Sequence, residues 1–226
     1  MLFRSAAFAT VLVTALTIFS TVSPPTAEAH SWAACIKWVF NKPTESGGRC
    51  LGTARRFPYK SKKGFAGLDH DDPSRHYRQT NPADKALPCS DKKTGLEKGA
   101  DETRASPPSK AYGGSFGPMT LTKVGEQLCL RWPGKNHAES NEKDHGVQIY
   151  LTSSPNSKDP TQEELFDHKV ADLPYKNCGK GTDSNDRPCG GCFTVPQRAA
   201  GTYLLQWRWM LNKDEWYTSC ADIEVV

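Results

Sequence analysis

The sequence predicts an all-β protein, an antiparallel immunoglobulin/fibronectin-III-like β-sandwich with long disulfide-stapled loops and at most one or two short helices. Three observations carry this. From Pro118 onward, short runs rich in β-branched and aromatic residues recur, separated by Gly, Pro, Asn and Asp. The eight cysteines form an even set suited to staples. Finally, 37% apolar residues exceed what a disordered chain carries, while 18 Gly and 16 Pro in 226 residues are too many for a helical bundle.

The first 29 residues read as an export signal. Arg4 supplies a positive start, Ala6 to Phe19 is uninterruptedly apolar, and Ala27-Glu28-Ala29 is the small-x-small pattern of a cleavage site. The apolar run stops short of the roughly 18–20 residues that a membrane anchor needs. Processing after Ala29 makes His30 the first residue of a 197-residue chain, out of 226, read as one β-sandwich domain spanning 30–226. That processed chain is expected to be secreted, free of the membrane and monomeric. The full 226-residue sequence has 29 Lys+Arg against 25 Asp+Glu, a net charge of +4 and a pI near 8.6; removing residues 1–29 takes away only Arg4 and Glu28 and leaves the charge at +4. That is too mild a basicity for a nucleic-acid-coating protein.

In an oxidising compartment, Cys35, Cys50, Cys89, Cys129, Cys178, Cys189, Cys192 and Cys220 read as four disulfides whose pairing the spacing leaves open. A zinc or C-x-x-C reading of Cys178, Cys189 and Cys192 lacks a fourth ligand at suitable spacing. Residues 41–115 are rich in Gly, Pro, Lys, Asp and Ser without periodicity, and are expected to be mostly long loops stapled by Cys50 and Cys89. The strands follow: PMTLTKV, EQLCLRWP, GVQIYLTS, CFTVP, GTYLLQWRWML and EWYTSCADIEVV. Only Thr161 to Val170 reads as helical, with Thr161 as its cap. The last two strands form a hairpin about Asn212-Lys213-Asp214. Period-two alternation places Tyr203, Leu205, Trp207, Trp209 and Leu211 on one face, and Glu215, Tyr217 and Ser219 on one face of the return strand.

A histidine freed at a chain start offers two nitrogens from one residue, the α-amine and an imidazole nitrogen. The amine's ordinary pKa of about 8, against about 10.4 for lysine, makes its deprotonation for a metal inexpensive at neutral pH. With a third nitrogen from a distant histidine, such a set suits Cu(II). His137, just past a strand end and after Pro133 and Gly134, is the leading partner of His30, with His145 its competitor. His70, His76 and His168 read as solvated surface residues. Tyr217 is the candidate axial group, the alternative being a core tyrosine. Glu215, two positions earlier, is a hydrogen-bond or proton-transfer partner for the metal site.

Together, the cleavage pattern before His30, RWPGKNH ending in His137, and QWRWMLNKDEWYTSCADIEV resemble a lytic polysaccharide monooxygenase. With HSWAACIKW, RRFPY, KAYGGSFGPM and RPCGGCF, the pattern resembles auxiliary activity family 17, the oomycete family associated with pectic homogalacturonan. The resemblance covers essentially the whole processed chain. It implies a copper brace of His30 and His137, Tyr217 axial and Glu215 beside them. It also implies one copper cycling between Cu(II) and Cu(I), an external electron donor, O2 or H2O2 as co-substrate, and hydroxylation at the glycosidic link.

Three further clusters bear on substrate. Arg55, Arg56, Lys60, Lys62 and Lys63 read either as a basic rim that would attract a polyuronate or as a solvated loop. Trp32, Tyr59, Tyr77 and Tyr112 are candidates for stacking on sugars, some of them packing under loops instead. Asp69, Asp71 and Asp72 read as a calcium site or, more simply, an Asp-rich turn. Two other functions compete with the oxidative enzyme: a copper-binding protein for capture or delivery, without oxygenase activity, and a carbohydrate-binding module in which His30 is incidental.

Overall fold

Alternation in the two C-terminal segments builds the centre of the molecule. The computed structural model describes residues 31–39, 49–55, 77–80, 87–89, 120–138, 143–156, 158–179 and 188–226. In it, β9 (Gly201–Asn212) and β10 (Glu215–Val225) form an antiparallel hairpin, turning at Lys213 and Asp214, with Asp214 in the left-handed region at φ 61°. Tyr203, Leu205, Trp207 and Trp209 of β9 point into the core with Tyr217, Ala221, Ile223 and Val225 of β10, as the period-two pattern requires.

Around this hairpin β3 (Tyr77–Thr80), β6 (Val147–Leu151) and β7 (Lys169–Leu173) complete a sheet in the order β3-β10-β9-β6-β7, and β4 (Thr120–Thr122) pairs parallel with the end of β10. The opposing layer is the antiparallel pair β5 (Gln127–Pro133) and β8 (Pro188–Thr194). Leu128, Leu130 and Trp132 of β5 and Phe193 of β8 meet Val147, Ile149, Leu205 and Trp207 of the large sheet, so the core is the space between two antiparallel layers. The all-β sandwich is the observed fold. A small hairpin of β1 (Trp38–Val39) and β2 (Arg49–Cys50) flanks it. The preceding residues run beside β5, where Ala34 N donates to Arg131 O at 2.8 Å and Arg131 N to Cys35 O at 2.9 Å.

The structure shortens one element of the sequence reading and adds detail to another. The helix is shorter than Thr161 to Val170: α1 covers Gln162–Phe166. Its start is as expected, because Thr161 Oγ1 accepts from Glu164 N while Glu164 Oε2 accepts from Thr161 N at 2.7 Å, a reciprocal cap. After Phe166 the chain turns into β7, because pairing with the free edge of β6 (Val147 opposite Leu173, Ile149 opposite Ala171) overrides helix propensity. The stretch 41–115 is not loop alone either. It includes β2 and β3, and β3 extends the main sheet by pairing with the first residues of β10.

All eight cysteines pair, as Cys35–Cys50, Cys89–Cys220, Cys129–Cys192 and Cys178–Cys189, so no thiol remains for a zinc or redox motif. Cys89–Cys220 pins residues 87–89 to the outer side of the large sheet. There Tyr77, Tyr150, Leu165 and Leu204 form a second apolar cluster. Within this outer layer Gln206 Nε2 donates to Gln162 Oε1 (2.6 Å) and Pro88 O (2.9 Å), and Gln79 Nε2 also reaches Pro88 O (3.1 Å).

Arg55 departs from the basic-rim reading. It is fully buried, forked onto Asp222 (Nε to Oδ2 3.0 Å, Nη2 to Oδ1 2.6 Å) and held by Asp159 on its other side. A guanidinium taken out of water needs such paired carboxylates. Arg56, Lys60, Lys62 and Lys63 lie outside the described residues. Removing one carboxylate strands a buried cation. Asp222→Ala is therefore expected to lower stability by about 3–5 kcal/mol, read from urea denaturation.

Candidate metal centre

Two elements and the segment 31–33 meet at one end of the sandwich. β5 ends at Pro133, and a 3-10 turn over Lys135–His137 follows, with Lys135 in the left-handed region at φ 46°. A non-glycine residue there costs energy and must be held by its surroundings. The turn presents the half-buried His137, whose ring meets the Trp209 ring edge-on at 5.4 Å. Register places Tyr217 of β10 opposite Trp209 of β9, with ring centroids 6.0 Å apart. Trp209 thus stands between His137 and Tyr217.

Ser31 is completely buried, and its hydroxyl donates to Pro133 O at 2.9 Å. Two residues later Ala33 N donates to Ser219 Oγ at 3.0 Å, on the β10 face that carries Tyr217. Residues 31–33 are therefore fastened both to the end of β5, just before the His137 turn, and to β10, which carries Tyr217. His30 itself lies outside the described residues, as do His70, His76, Tyr59, Tyr112, Asp69, Asp71, Asp72 and the leader 1–29.

The remaining predicted residues fall as follows. Tyr217 is 3% exposed and packs in the main core, the position of its alternative reading as a core tyrosine. Glu215 begins β10 at a bulge between Glu215 and Trp216, and its carboxylate is engaged by Arg78 (2.6 Å) and by Asn212 Nδ2 (2.8 Å). His145, the competing ligand, lines the same narrow cleft as His137, along with Lys143, Asp144, Tyr175, Lys176 and Met210. His168 lies beside α1, in a different groove with Ser153, Lys158 and Asp167. Trp32 and Tyr77, each 1% exposed, belong to packing and not to a sugar-stacking surface.

Tyr175 was missed by the sequence reading. In DLPYKN it looks like an ordinary turn residue, yet it is 1% exposed and stacked flat on Trp209, with centroids 4.1 Å apart and planes 10° apart. Its hydroxyl donates to Gly134 O at 2.9 Å and lies 3.3 Å from Pro133 O, and its own carbonyl accepts from Trp132 Nε1 at 3.0 Å. Burial holds its phenol well above the usual tyrosine range, aided by the Asp144 charge and partly offset by a hydrogen bond with Ser31. The only local signal was a pair of turn-forming neighbours, Pro174 and Asn177.

Among the described residues, no three His, Cys, Asp or Glu side chains converge as a metal cage. The donors at this end are nevertheless selective in kind. Every cysteine is paired in a disulfide and the Glu215 carboxylate is engaged by Arg78; the other donor groups at this end include the imidazoles of His137 and His145, the Asp144 carboxylate and the phenol of Tyr217. An imidazole-based set with no thiolate fits a borderline ion such as Cu(II).

No family model matches the chain, and no curated protein matches it. Among solved structures it is similar to an AA10 lytic polysaccharide monooxygenase from Streptomyces lividans, at 18% identity over 67% of this chain and 82% of that one, with a TM-score of 0.42. An AA10 monooxygenase from Photorhabdus luminescens aligns at 14% identity over 70% of this chain and 83% of that one, with a TM-score of 0.39. A chitin binding domain from Burkholderia pseudomallei aligns at 12% identity over 54% and 61%, with a TM-score of 0.35. No helix among the described residues is long and apolar enough to cross a membrane.

The cleft wall depends on Asp144, whose carboxylate accepts from the backbone amides of Gly146 (2.8 Å), Tyr175 (3.2 Å) and Lys176 (3.1 Å). Asp144→Ala is expected to cost about 1–3 kcal/mol in thermal or chemical denaturation, because it leaves these donors unmatched. Asp144→Asn, which keeps one acceptor oxygen, should cost less.

Proposed function

We propose that this chain is a secreted, copper-dependent lytic polysaccharide monooxygenase, with an anionic plant polysaccharide, pectic homogalacturonan, as its substrate. His30 (through its amine and side chain), His137 and Tyr217 would hold one copper ion. When bound, copper supplies the redox chemistry that an external electron donor and O2 or H2O2 require, and hydroxylation at the glycosidic link breaks the polymer. Glu215 would hold or pass a proton beside the metal, its carboxylate oriented by Arg78 and Asn212.

The supporting observation is the fastening of Ser31. It is bonded to Pro133 O, four residues before His137, and the chain continues to a bond on Ser219, two residues beyond Tyr217. Its neighbour in the chain is a single peptide away, about 3.8 Å between Cα atoms. This tether supports the reading in which a terminal amine at His30 would share an ion with His137. An anionic substrate is supported by Lys143, His145 and Lys176, which line the cleft beside His137 together with Asp144. Attraction of this kind weakens as salt rises. The four disulfides suit an oxidising, extracellular setting.

One observation favours copper capture without oxygenase activity: the engagement of the Glu215 carboxylate by Arg78 and Asn212, which limits its freedom to exchange protons. The two readings part experimentally. Protein processed to begin at His30 should bind one Cu(II) in calorimetry, and one alanine added before His30 should abolish tight binding, because the chelating amine becomes an amide. With ascorbate and copper, homogalacturonan should yield oxidised oligomers in mass spectrometry. Intact copper binding with no products from pectin, cellulose or chitin would establish metal handling instead. Glu215→Gln should retain copper and reduce product formation roughly 100-fold or more.

A further inference from the structure

We infer that Tyr175, acting with Ser31 on the Pro133 carbonyl, is a positioning residue that sets the separation between the chain start and the His137 turn; the inference rests on the copper-site reading above. The Pro133 carbonyl is a junction. It accepts from the Ser31 hydroxyl at 2.9 Å and lies 3.3 Å from the Tyr175 hydroxyl, so the two side chains share one acceptor. The same Tyr175 hydroxyl donates to the next carbonyl, Gly134 O, at 2.9 Å. One phenol therefore touches the segment that follows His30 and the segment that leads into His137.

The turn it holds is not a relaxed one. Lys135 sits at φ 46°, where an L-residue is disfavoured, directly after the two carbonyls that the hydroxyls grip. Its ammonium lies over the Trp32 ring at 5.1 Å, a second tie between this turn and the chain start. Without the hydroxyl contacts, the peptide between Pro133 and Lys135 is free to return to an ordinary conformation, and His137, two residues on, moves with it. Tyr175 is itself well placed to resist this. Its ring lies flat on Trp209, which borders both His137 and Tyr217, and its carbonyl is held by Trp132. The phenol keeps its proton to alkaline pH because it is buried, so it remains a donor wherever the protein is folded.

The test uses the full processed chain beginning at His30. Tyr175→Phe keeps the ring stack and removes only the hydroxyl. Cu(II) affinity is measured by calorimetry, the copper environment by electron paramagnetic resonance, and the metal-free fold by circular dichroism and thermal melting. Outer contacts of this kind typically change metal affinity about 10–100-fold. The expected result is a loss in that range with an altered hyperfine splitting, while the metal-free protein retains its spectrum. Ser31→Ala should act in the same direction, and the double variant should lose less than the two single losses combined, since both act through one carbonyl. Ser31→Ala also carries the test if Tyr175→Phe does not fold.

Tyr203→Phe is the control. It removes a comparable hydroxyl bond, to Ala199 O at 2.8 Å, near the start of β9 and far along the strand from Trp209. It should melt lower without changing the copper signals. The inference is overturned if Tyr175→Phe binds Cu(II) as tightly as the unaltered chain with the same resonance spectrum, or if Tyr203→Phe changes both signals equally. Failure of the unaltered chain to bind copper overturns the functional reading itself, a distinct result.

Discussion

Tyr175 lies flat on Trp209, and this contact joins the two layers of the sandwich at the end where the predicted site residues gather. Trp209 is fixed from below by its strand, with Val147 of β6 on one side and Tyr217 of β10 on the other. Tyr175 is fixed from above, its carbonyl taken by the indole of Trp132 in the opposing layer. An offset or parallel aromatic pair contributes only about 0.5–1.5 kcal/mol beyond the area it buries. Its importance here is geometric. The ring that accepts Tyr175 on one face meets His137 and Tyr217 at its other contacts, so the stack carries the position of one sheet to the other.

The opposite side of the large sheet is held by different physics. There the packed layer contains amides and charges: Gln79, Gln162 and Gln206 about the Pro88 carbonyl, and Arg55 between Asp222 and Asp159. Such groups contribute little net stability when satisfied and cost several kcal/mol when one partner is missing. Their effect is to admit only one docking of residues 53–55, 87–89 and α1 on the back of β9 and β10. The strands that carry Trp209 and Tyr217 are therefore supported on both faces.

What the sequence made legible follows from periodicity and chain-local chemistry. The inward rows of β9 and β10 could be read because a period of two over long strands leaves no other buried face, and the Thr161–Glu164 cap because its two halves lie three residues apart. His137 and Tyr217 were legible as candidates for similar reasons, one past a strand end, the other on an alternating strand. The failures share the opposite property. Arg55 belongs, in sequence, to a basic run, and its burial is decided by a carboxylate 167 residues away. Tyr175 owes its place to Trp209 and to two carbonyls some forty residues upstream, separations of 41 and 42 residues. β3 and β7 are too short for periodicity to register, and they exist because the sheet offers them an edge.

The anchorage of the long connection between Cys89 and Thr120 has a practical consequence. It leaves the described structure at a residue bonded to Cys220 and re-enters it at one paired with Ile223, both on β10. Those attachment points are three residues apart on one strand, about 10 Å. Lengthening a connection between ends already held this close costs only about 0.6 kcal/mol for each doubling. Both ends of that stretch are thus fixed on β10, one by a disulfide and one by strand pairing, so any segment grafted between Cys89 and Thr120 would start and finish on a hairpin held by its own partners.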